Sequence, residues 1–464
     1  LGEPSEHHFL NPTAMIARLR QFFSQNPILK RVLMNSGYLF SATGFSAAIS
    51  MLQGILTARM LGVALFGVLG AITVFTSVIN RFISFRMSEL VVRYVGVHQE
   101  NGETQHAAAV FKAAALTEMS ASIIAFALVW LAAPLGARYL AKDPQTAIWF
   151  GLYGWIILAN LISESSTGLL QIFDRFRRMA WLQVLQSLIT LFFIALAYFI
   201  KSGLPGVLLA YILGKTVGAL GFTIAALREA AQRWGKNWWQ NSLRLIKPEW
   251  RELTHFAIST NISASLSLIN KDSELLWISF LRNPVETGYY KLALSLANLV
   301  QMPISPLPQT TYAELARAVA RHEWGNVRKL VKHGSVLAGS YTLATTLGLW
   351  LLGKPIIQSF YTAQYLPAYP ALMILLAGFL IANTFYWHRA GLLAIGRPEF
   401  PAQINFVLAI AKIGGIFLLV PKFGYLANAG LLAGSYIVGV SLSVVVFYLT
   451  LQQRQQLNPQ EIAP

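Results

Sequence analysis

Long apolar runs, each cut off by glycine, proline or charge, recur from one end of the 464-residue chain to the other. They predict twelve membrane-crossing helices, at about 33–58, 65–92, 107–134, 146–171, 180–200, 204–227, 253–281, 286–310, 328–352, 367–392, 400–420 and 424–450. None of the runs alternates with the two-residue period of a membrane barrel strand. Twelve spans of roughly 20 residues use about 240 positions, which leaves connecting loops but no sizeable soluble domain. The expected fold is therefore an all-α integral membrane protein.

Composition agrees. Hydrophobic residues make up 55% of the chain and charged residues 12%, and the mean hydropathy is +0.53, so a peripheral enzyme on a single anchor is excluded. There are no cysteines, which excludes disulfides, thiolate metal sites, iron–sulfur clusters and cysteine nucleophiles. The eight histidines show no HExxH or paired spacing, so neither a metal nor a cofactor is expected. In a soluble protein the net charge of +17 would point to nucleic acid; in a membrane protein it marks cytoplasmic loops facing anionic lipid. Residues 1–31 are polar and lack the apolar core and cleavage site of a signal peptide, which predicts a cytoplasmic tail. The chain does not begin with Met, as expected of a trimmed sequence. With the tail inside, twenty-three of the 36 Lys and Arg residues fall in cytoplasmic connections, seven in outer ones and six within spans. One span more or fewer would spoil that bias, so both termini are expected in the cytoplasm.

The two halves resemble each other at an offset near 222 residues. Gly67 matches Gly288; Glu100 and Gly102 match Glu323 and Gly325; Ala159, Asn160 and Gly168 to Leu170 match Ala382, Asn383 and Gly391 to Leu393; Lys201 and Gly203 match Lys422 and Gly424. Six spans per half is an even number, so the halves enter from the same side and are related by a pseudo-two-fold axis along the membrane normal. The expected organisation is a tail at 1–31, six-helix bundles at 32–228 and 252–450, a cytoplasmic linker at 229–251 and a tail at 451–464. Basic residues and Trp234, Trp238, Trp239 and Trp250 place the linker in the membrane interface.

The stretch from Leu56 to Gly67 (LTARMLGVALFG), followed by a long second helix ending in Arg93, resembles the opening of oligosaccharide flippases of the multidrug/oligosaccharidyl-lipid/polysaccharide exporter superfamily. Asn283 to Ala293 (NPVETGYYKLA) and Gly168 to Phe176 (GLLQIFDRF) are similar to further family segments, and the resemblance covers about residues 32–450. It implies a carrier, not an enzyme, that moves a polyprenyl-diphosphate-linked oligosaccharide to the outer leaflet of a bacterial or archaeal cytoplasmic membrane by alternating access. Its partners would be that lipid-linked substrate, the bilayer and polysaccharide assembly proteins, with proton or sodium coupling as an option and no nucleic acid. Related lipid II flippases carry fourteen spans, against twelve here. Drug-exporting relatives often place an acidic cation site in an early span, and the first span here has neither Asp nor Glu. The alternatives are a cation-coupled drug or metabolite exporter on the same architecture and, further off, a polysaccharide polymerase or glycosyltransferase.

Charges within spans are costly and so point to function or to pairing. The cations expected at a substrate diphosphate are Arg81, Lys271, Lys215, Arg86 and Lys291; Gln53, Asn80, Asn270, Asp272 and Glu274 are the polar groups expected beside them. Lys412 is equally deep and is expected in a structural pair. Arg86, Glu89 and Arg93 share a helical face as a charge ladder. Glu118 and Glu164 are the candidate coupling acids, with an inter-bundle salt bridge to the region of His388 and Arg389 as the plainer role of Glu164. Pro303, Pro306 and Pro308 predict a kink or early end in the eighth span.

Overall fold

The computed structural model describes residues 27–267, 273–397 and 399–457. These form twelve spans in two six-helix bundles. The trace Pro27–Ile83 bends at Gly62, whose φ of 67° and ψ of 176° suit only glycine, and so divides into α1 (27–61) and α2 (63–83). After a break at 84–86, α2 resumes as Met87–Leu90, a π turn Val91–Val95 and Gly96–Glu100. Next come α3 (Thr104–Gly136), α4 in three pieces (Ala147–Tyr153, Trp155–Ala159, Ser163–Ile172), α5 (Phe176–Phe199) and α6 (Gly203–Trp234). The second bundle holds α7 (Trp250–Ser267 and Glu274–Leu281), α8 (Pro284–Gln301 and Leu307–Ala320), α9 (Trp324–Ile356) and α10 (Ala368–Thr384 and His388–Ala394). A trace Glu399–Leu457 bends at Gly424 into α11 (399–423) and α12 (425–457).

Among the described residues, eight stretches are long and apolar enough to cross a bilayer by themselves, and two of these, Gly37–Ile83 and Glu399–Gln455, hold two spans each. The remaining two spans are α7 and α8, which carry Glu274, Glu286 and Lys291. The proline-rich stretch of α8 tightens into a 3-10 turn at Met302–Ile304 before the helix restarts, the interruption that missing backbone donors impose.

The repeat is plain in the backbone. Both α3 and α9 have 33 residues and an internal proline, and each runs into a five-residue π turn, Ala137–Ala141 or Ile357–Tyr361. Positive-φ residues follow at Lys142 and Thr362. Glu103 and Glu323 flank the two helix starts with nearly equal angles, φ −83° with ψ 62° and φ −81° with ψ 60°. The structural mate of Glu323 is thus Glu103 and not Glu100. Residue identity suggested a register three positions off, because loops slip where helices do not.

Among the described residues, three large apolar clusters and a small one inside the first bundle (Ala125, Val129 and Ile157) fill the molecule. One lies at the end that carries the Gly62 bend and the α7–α8 turn, and it joins both bundles, from Ile55, Phe66 and Leu69 to Leu275, Tyr290, Tyr365 and Phe379. At the opposite end the clusters are separate. One belongs to the first bundle with Ile246 of the linker and Leu253 and Ala257 of α7; the other belongs to α8, α9, α10 and α12. The first is called the sealed end below, the second the linker end. α6 runs on to Trp234, so Trp234 and Trp238 pack against Phe111 at 5.8 and 5.4 Å instead of lying free in the interface, while Trp239 and Trp250 are exposed.

Candidate functional site

One cluster joins the bundles broadly at the sealed end, whereas at the linker end only the start of α7 packs on the first bundle and α8, α9, α10 and α12 form a core of their own, so the bundles part between that core and the first bundle on the linker side. The first-bundle side of this cleft is built where two helices break next to each other. The third piece of α4 crosses α2 at Gly168, where an added Cβ would come within 2.7 Å of the Ser88 carbonyl oxygen. The crossing brings Ser88 to Glu164, and the Ser88 hydroxyl donates to that carboxylate at 2.6 Å.

Glu118 of α3 is buried behind this crossing and caps the same piece of α4. Its carboxylate accepts from the Glu164 and Ser165 backbone N–H groups, both at 2.8 Å, and from the Ser165 hydroxyl at 2.6 Å. A negative group at a helix N-terminus meets the orphan donors and the positive end of the dipole. Glu118 thereby fixes where α4 restarts. Glu164 lies with Ser88, so the bond found for it is within the first bundle and not across to the second.

The sequence-derived candidates separate into groups. Asn80 and the exposed Arg81 occupy the last turn of α2 before its break, and the side-chain amide oxygen of Asn80 (Oδ1) is buried without a hydrogen-bond donor among the described residues. Arg86 stands in the break and pairs with Glu89 at 2.6 Å, both exposed. Arg93 turns to Glu252 of α7 at 3.8 Å and to the rings of Tyr94 and Phe256, each 5.1 Å away. The charge ladder is therefore cut, because the break and the π turn rotate Arg93 off the face of Arg86. Gln53 is buried inside the first bundle and donates to the Ser187 carbonyl of α5 at 2.8 Å. Lys215 of α6 is half-buried, with no hydrogen-bonding partner among the described residues. Lys291 is at the sealed end, donating to the Phe66 carbonyl at 3.3 Å. Lys271, Asn270 and Asp272 lie outside the described residues.

Glu274 is no free cleft group. It is 1% exposed and accepts from Tyr290 at 2.9 Å, from Asn428 at 2.6 Å and from the Lys412 ammonium, so that α7, α8, α11 and α12 share one buried charge pair. Lys412 thus has the structural pair expected of it.

Two charge clusters at the linker end were not foreseen. The Glu229 carboxylate of α6, buried to 1%, takes both guanidinium nitrogens of Arg175 at 2.9 and 2.6 Å, with Arg178 and Arg233 beside it. His98 lies between Glu103 at 2.6 Å and Glu249 of the linker at 3.1 Å, and stacks on His106. Burial lowers the affinity of the imidazole for its proton, yet the two carboxylates together outweigh it and hold the His98 pKa above its usual value. Glu103 five residues after His98, around the turn at Gly102, was the visible signal; Glu249 is 151 residues away and gave none.

The family model for polysaccharide biosynthesis proteins matches residues 32–312, more than half of the chain. The chain is 24% identical over 350 residues to the inner membrane protein YghQ of Escherichia coli (strain K12), a match covering 73% of this chain and 95% of that protein. Its fold is similar to that of a multidrug resistance MATE family transporter of the MOP superfamily in an inward-facing conformation, with a TM-score of 0.73 at 14% identity over 89% of this chain and 96% of that one. It is also similar to the lipid II flippase MurJ in an inward closed conformation, with a TM-score of 0.65 at 16% identity over 88% and 87% of the two chains. The chain thus shares its fold with these transporters, and it belongs to the polysaccharide biosynthesis protein family.

Proposed function

We propose that the protein is a flippase that carries a polyprenyl-diphosphate-linked oligosaccharide from the cytoplasmic to the outer leaflet of the cell membrane. The observation that carries this is the one apolar core shared by both bundles at the sealed end against the separate core of α8, α9, α10 and α12 at the linker end, where only the start of α7 still packs on the first bundle, in a chain of the polysaccharide biosynthesis family. Such a shape suits a carrier that exposes one site to each side in turn. The Lys and Arg bias assigns the linker end, with both termini, to the cytoplasm. The cleft then faces the leaflet on which the cargo is assembled. Arg81 is the cation best placed for a diphosphate, which it can grip with two parallel N–H donors. About two negative charges moving outward against 100 mV, inside negative, gain roughly 4.6 kcal/mol, at about 2.3 per charge.

The buried carboxylates Glu118 and Glu274 are already engaged, the first by a helix start and the second by an ammonium, which weighs against cation-coupled drug export through either. The deciding experiment uses liposomes with a fluorescent polyprenyl diphosphate sugar in one assay and a cationic dye in the other. Wild type should move the lipid sugar, Arg81→Lys should keep part of that activity and Arg81→Glu should lose nearly all of it. No movement of the lipid sugar by wild type, with dye transport that survives in Arg81→Glu, would transfer the assignment to the exporter.

A further inference from the structure

At the sealed end the two halves meet through a contact that is nearly its own mirror under the pseudo-two-fold. Gly67 and Gly288 are repeat mates at an offset of 221, as are Lys201 and Lys422. The same offset pairs Val63 with Pro284 and Gly70 with Lys291. The contacts are reciprocal. Gly67 lies against the Pro284 carbonyl and 2.8 Å, measured from an added Cβ, from the Gly288 nitrogen; Gly288 lies against the Val63 carbonyl, with Val63 Cγ1 at 3.0 Å. The flanks repeat the pattern. The π turn and the turn after it in the second bundle grip the end of α1, with Arg59 donating to the Phe360 carbonyl at 2.7 Å and Tyr365 to the Ala58 carbonyl at 3.0 Å. The equivalent turn of the first bundle grips the end of α7, with Lys142 donating to the Phe280 carbonyl at 2.7 Å.

One pair breaks the symmetry. Gly70 and Lys291 are mates that touch each other, since a Cβ on Gly70 would fall 2.8 Å from Lys291 Cδ. A residue in contact with its own mate lies at the symmetry axis of an isologous interface. Two lysines could not share that position, and the glycine makes room for the single one. The Lys291 ammonium sits 4.1 Å from the centre of the Phe66 ring and donates to the Phe66 carbonyl. Phe66 belongs to the first bundle and Lys291 to the second, and no carboxylate pairs with Lys291 among the described residues.

Parting the bundles removes both of its partners at once. A desolvated cation without a partner is costly within a membrane, so the closed seal is favoured until another electron-rich group takes the ammonium. We propose that Lys291 is an axial latch, held by Phe66 while the seal is closed and transferred to the phosphate of the cargo as the seal parts, so that opening depends on a phosphate-bearing lipid. This rests on the flippase assignment above and adds to it the residue that ties cargo to opening.

The test uses the cysteine-free chain with spin labels at Lys201→Cys and Lys422→Cys, exposed mates on the two bundles at the sealed end, in nanodiscs. Polyprenyl diphosphate should increase the long-distance population in the wild-type background, and polyprenol, which lacks phosphate, should not. Gly288→Ala, whose Cβ meets the Val63 carbonyl, should widen the distance without any lipid and shows that the labels report the seal. Lys291→Met, which keeps the packing on Gly70 but not the charge, should lower the effect of polyprenyl diphosphate roughly tenfold or more. Lys291→Gln can still donate to Phe66 and serves as the second variant, with the same loss expected. If both variants respond to polyprenyl diphosphate as wild type does, the latch is rejected while the flippase assignment stands. An equal response to polyprenol would also reject it. No response in wild type, with Gly288→Ala widening as expected, would overturn the flippase assignment and the latch together.

Discussion

Cations inside a bundle and cations between bundles are held differently. Inside, they meet carboxylates: Lys412 meets Glu274 in the second bundle, and Arg175 meets Glu229 in the first. Between the bundles at the sealed end, Arg59, Lys142 and Lys291 meet backbone carbonyls, while at the linker end Arg93 meets the exposed Glu252 carboxylate only loosely, at 3.8 Å. A buried carboxylate left by its cation is a heavy penalty, so such pairs fix helices together for good. A carbonyl left by a donor is still bonded within its helix or can bind water, and the loss is modest. The division matches the work each contact must do if the bundles move as rigid bodies and the seal between them parts.

The largest effect should come from breaking an internal pair. Lys412→Met strands Glu274 at 1% exposure and should cost about 3–5 kcal/mol of folding stability, visible as a fall in the thermal midpoint in detergent. Replacing both members with apolar residues, Lys412→Met with Glu274→Leu, should recover most of it, because a buried pair is often no better than well-packed hydrocarbon. A single variant as stable as wild type would show that the pair is not what holds α7 and α11 together.

A smaller effect, and of a different kind, is expected at the seal. Tyr365→Phe removes one hydrogen bond to the Ala58 carbonyl and keeps the ring against Phe66, 5.9 Å away. The loss of about 0.5–1.5 kcal/mol should change the ratio of closed to open sealed ends about twofold to tenfold, read with the Lys201 and Lys422 labels. The thermal midpoint should barely move. If Tyr365→Phe lowered the midpoint as much as Lys412→Met does, the distinction between internal and interfacial contacts would fail.

Much of this architecture was legible in the sequence, for physical reasons that also explain the gaps. A lipid solvent demands long apolar helices, so the fold class and most spans follow from hydropathy, while the count of twelve, with the charge-bearing α7 and α8, also needed the Lys and Arg bias. Gly67 with Gly288, and Gly203 with Gly424, were visible as repeat mates, though not the bends at Gly62 and Gly424. What remained hidden were contacts between distant positions. Nothing local tells that Glu118 caps α4 at a distance of 46 residues, or that Glu274 finds Lys412 138 residues later. Embedded charge was a good signal that a residue is constrained, and a poor one for what constrains it: Gln53 is tied to a carbonyl inside its own bundle, Glu274 is neutralised in place, and Lys291 is at a symmetry axis. Trp234 and Trp238, read as interfacial residues of the linker, also pack on the apolar cluster of the first bundle, a contact that their local sequence did not announce.

The mildest prediction concerns an internal contact that pH can switch. His98 holds the linker to the first bundle through Glu249 and the α2–α3 turn through Glu103, and only the doubly protonated imidazolium donates to both. Tyr94, Arg93 and Glu252 lie on the neighbouring α2 and α7, and His106 stacks on the ring at 5.5 Å. Since the folded pKa is raised above 6.5, the contribution of the clamp is fully present below 6.5 and is lost as pH rises through the folded pKa. Glu103 is half exposed, so water screens part of the interaction and the change should be small. Hydrogen exchange at residues 243–249 should quicken as the pH is raised from about 6 to about 8, beyond the intrinsic base dependence measured in an unstructured peptide of the same sequence. His98→Gln keeps a hydrogen-bonding side chain without the titration and should abolish that excess. An excess that persists in His98→Gln would place the titrating group elsewhere and leave the clamp as an ordinary, pH-independent contact.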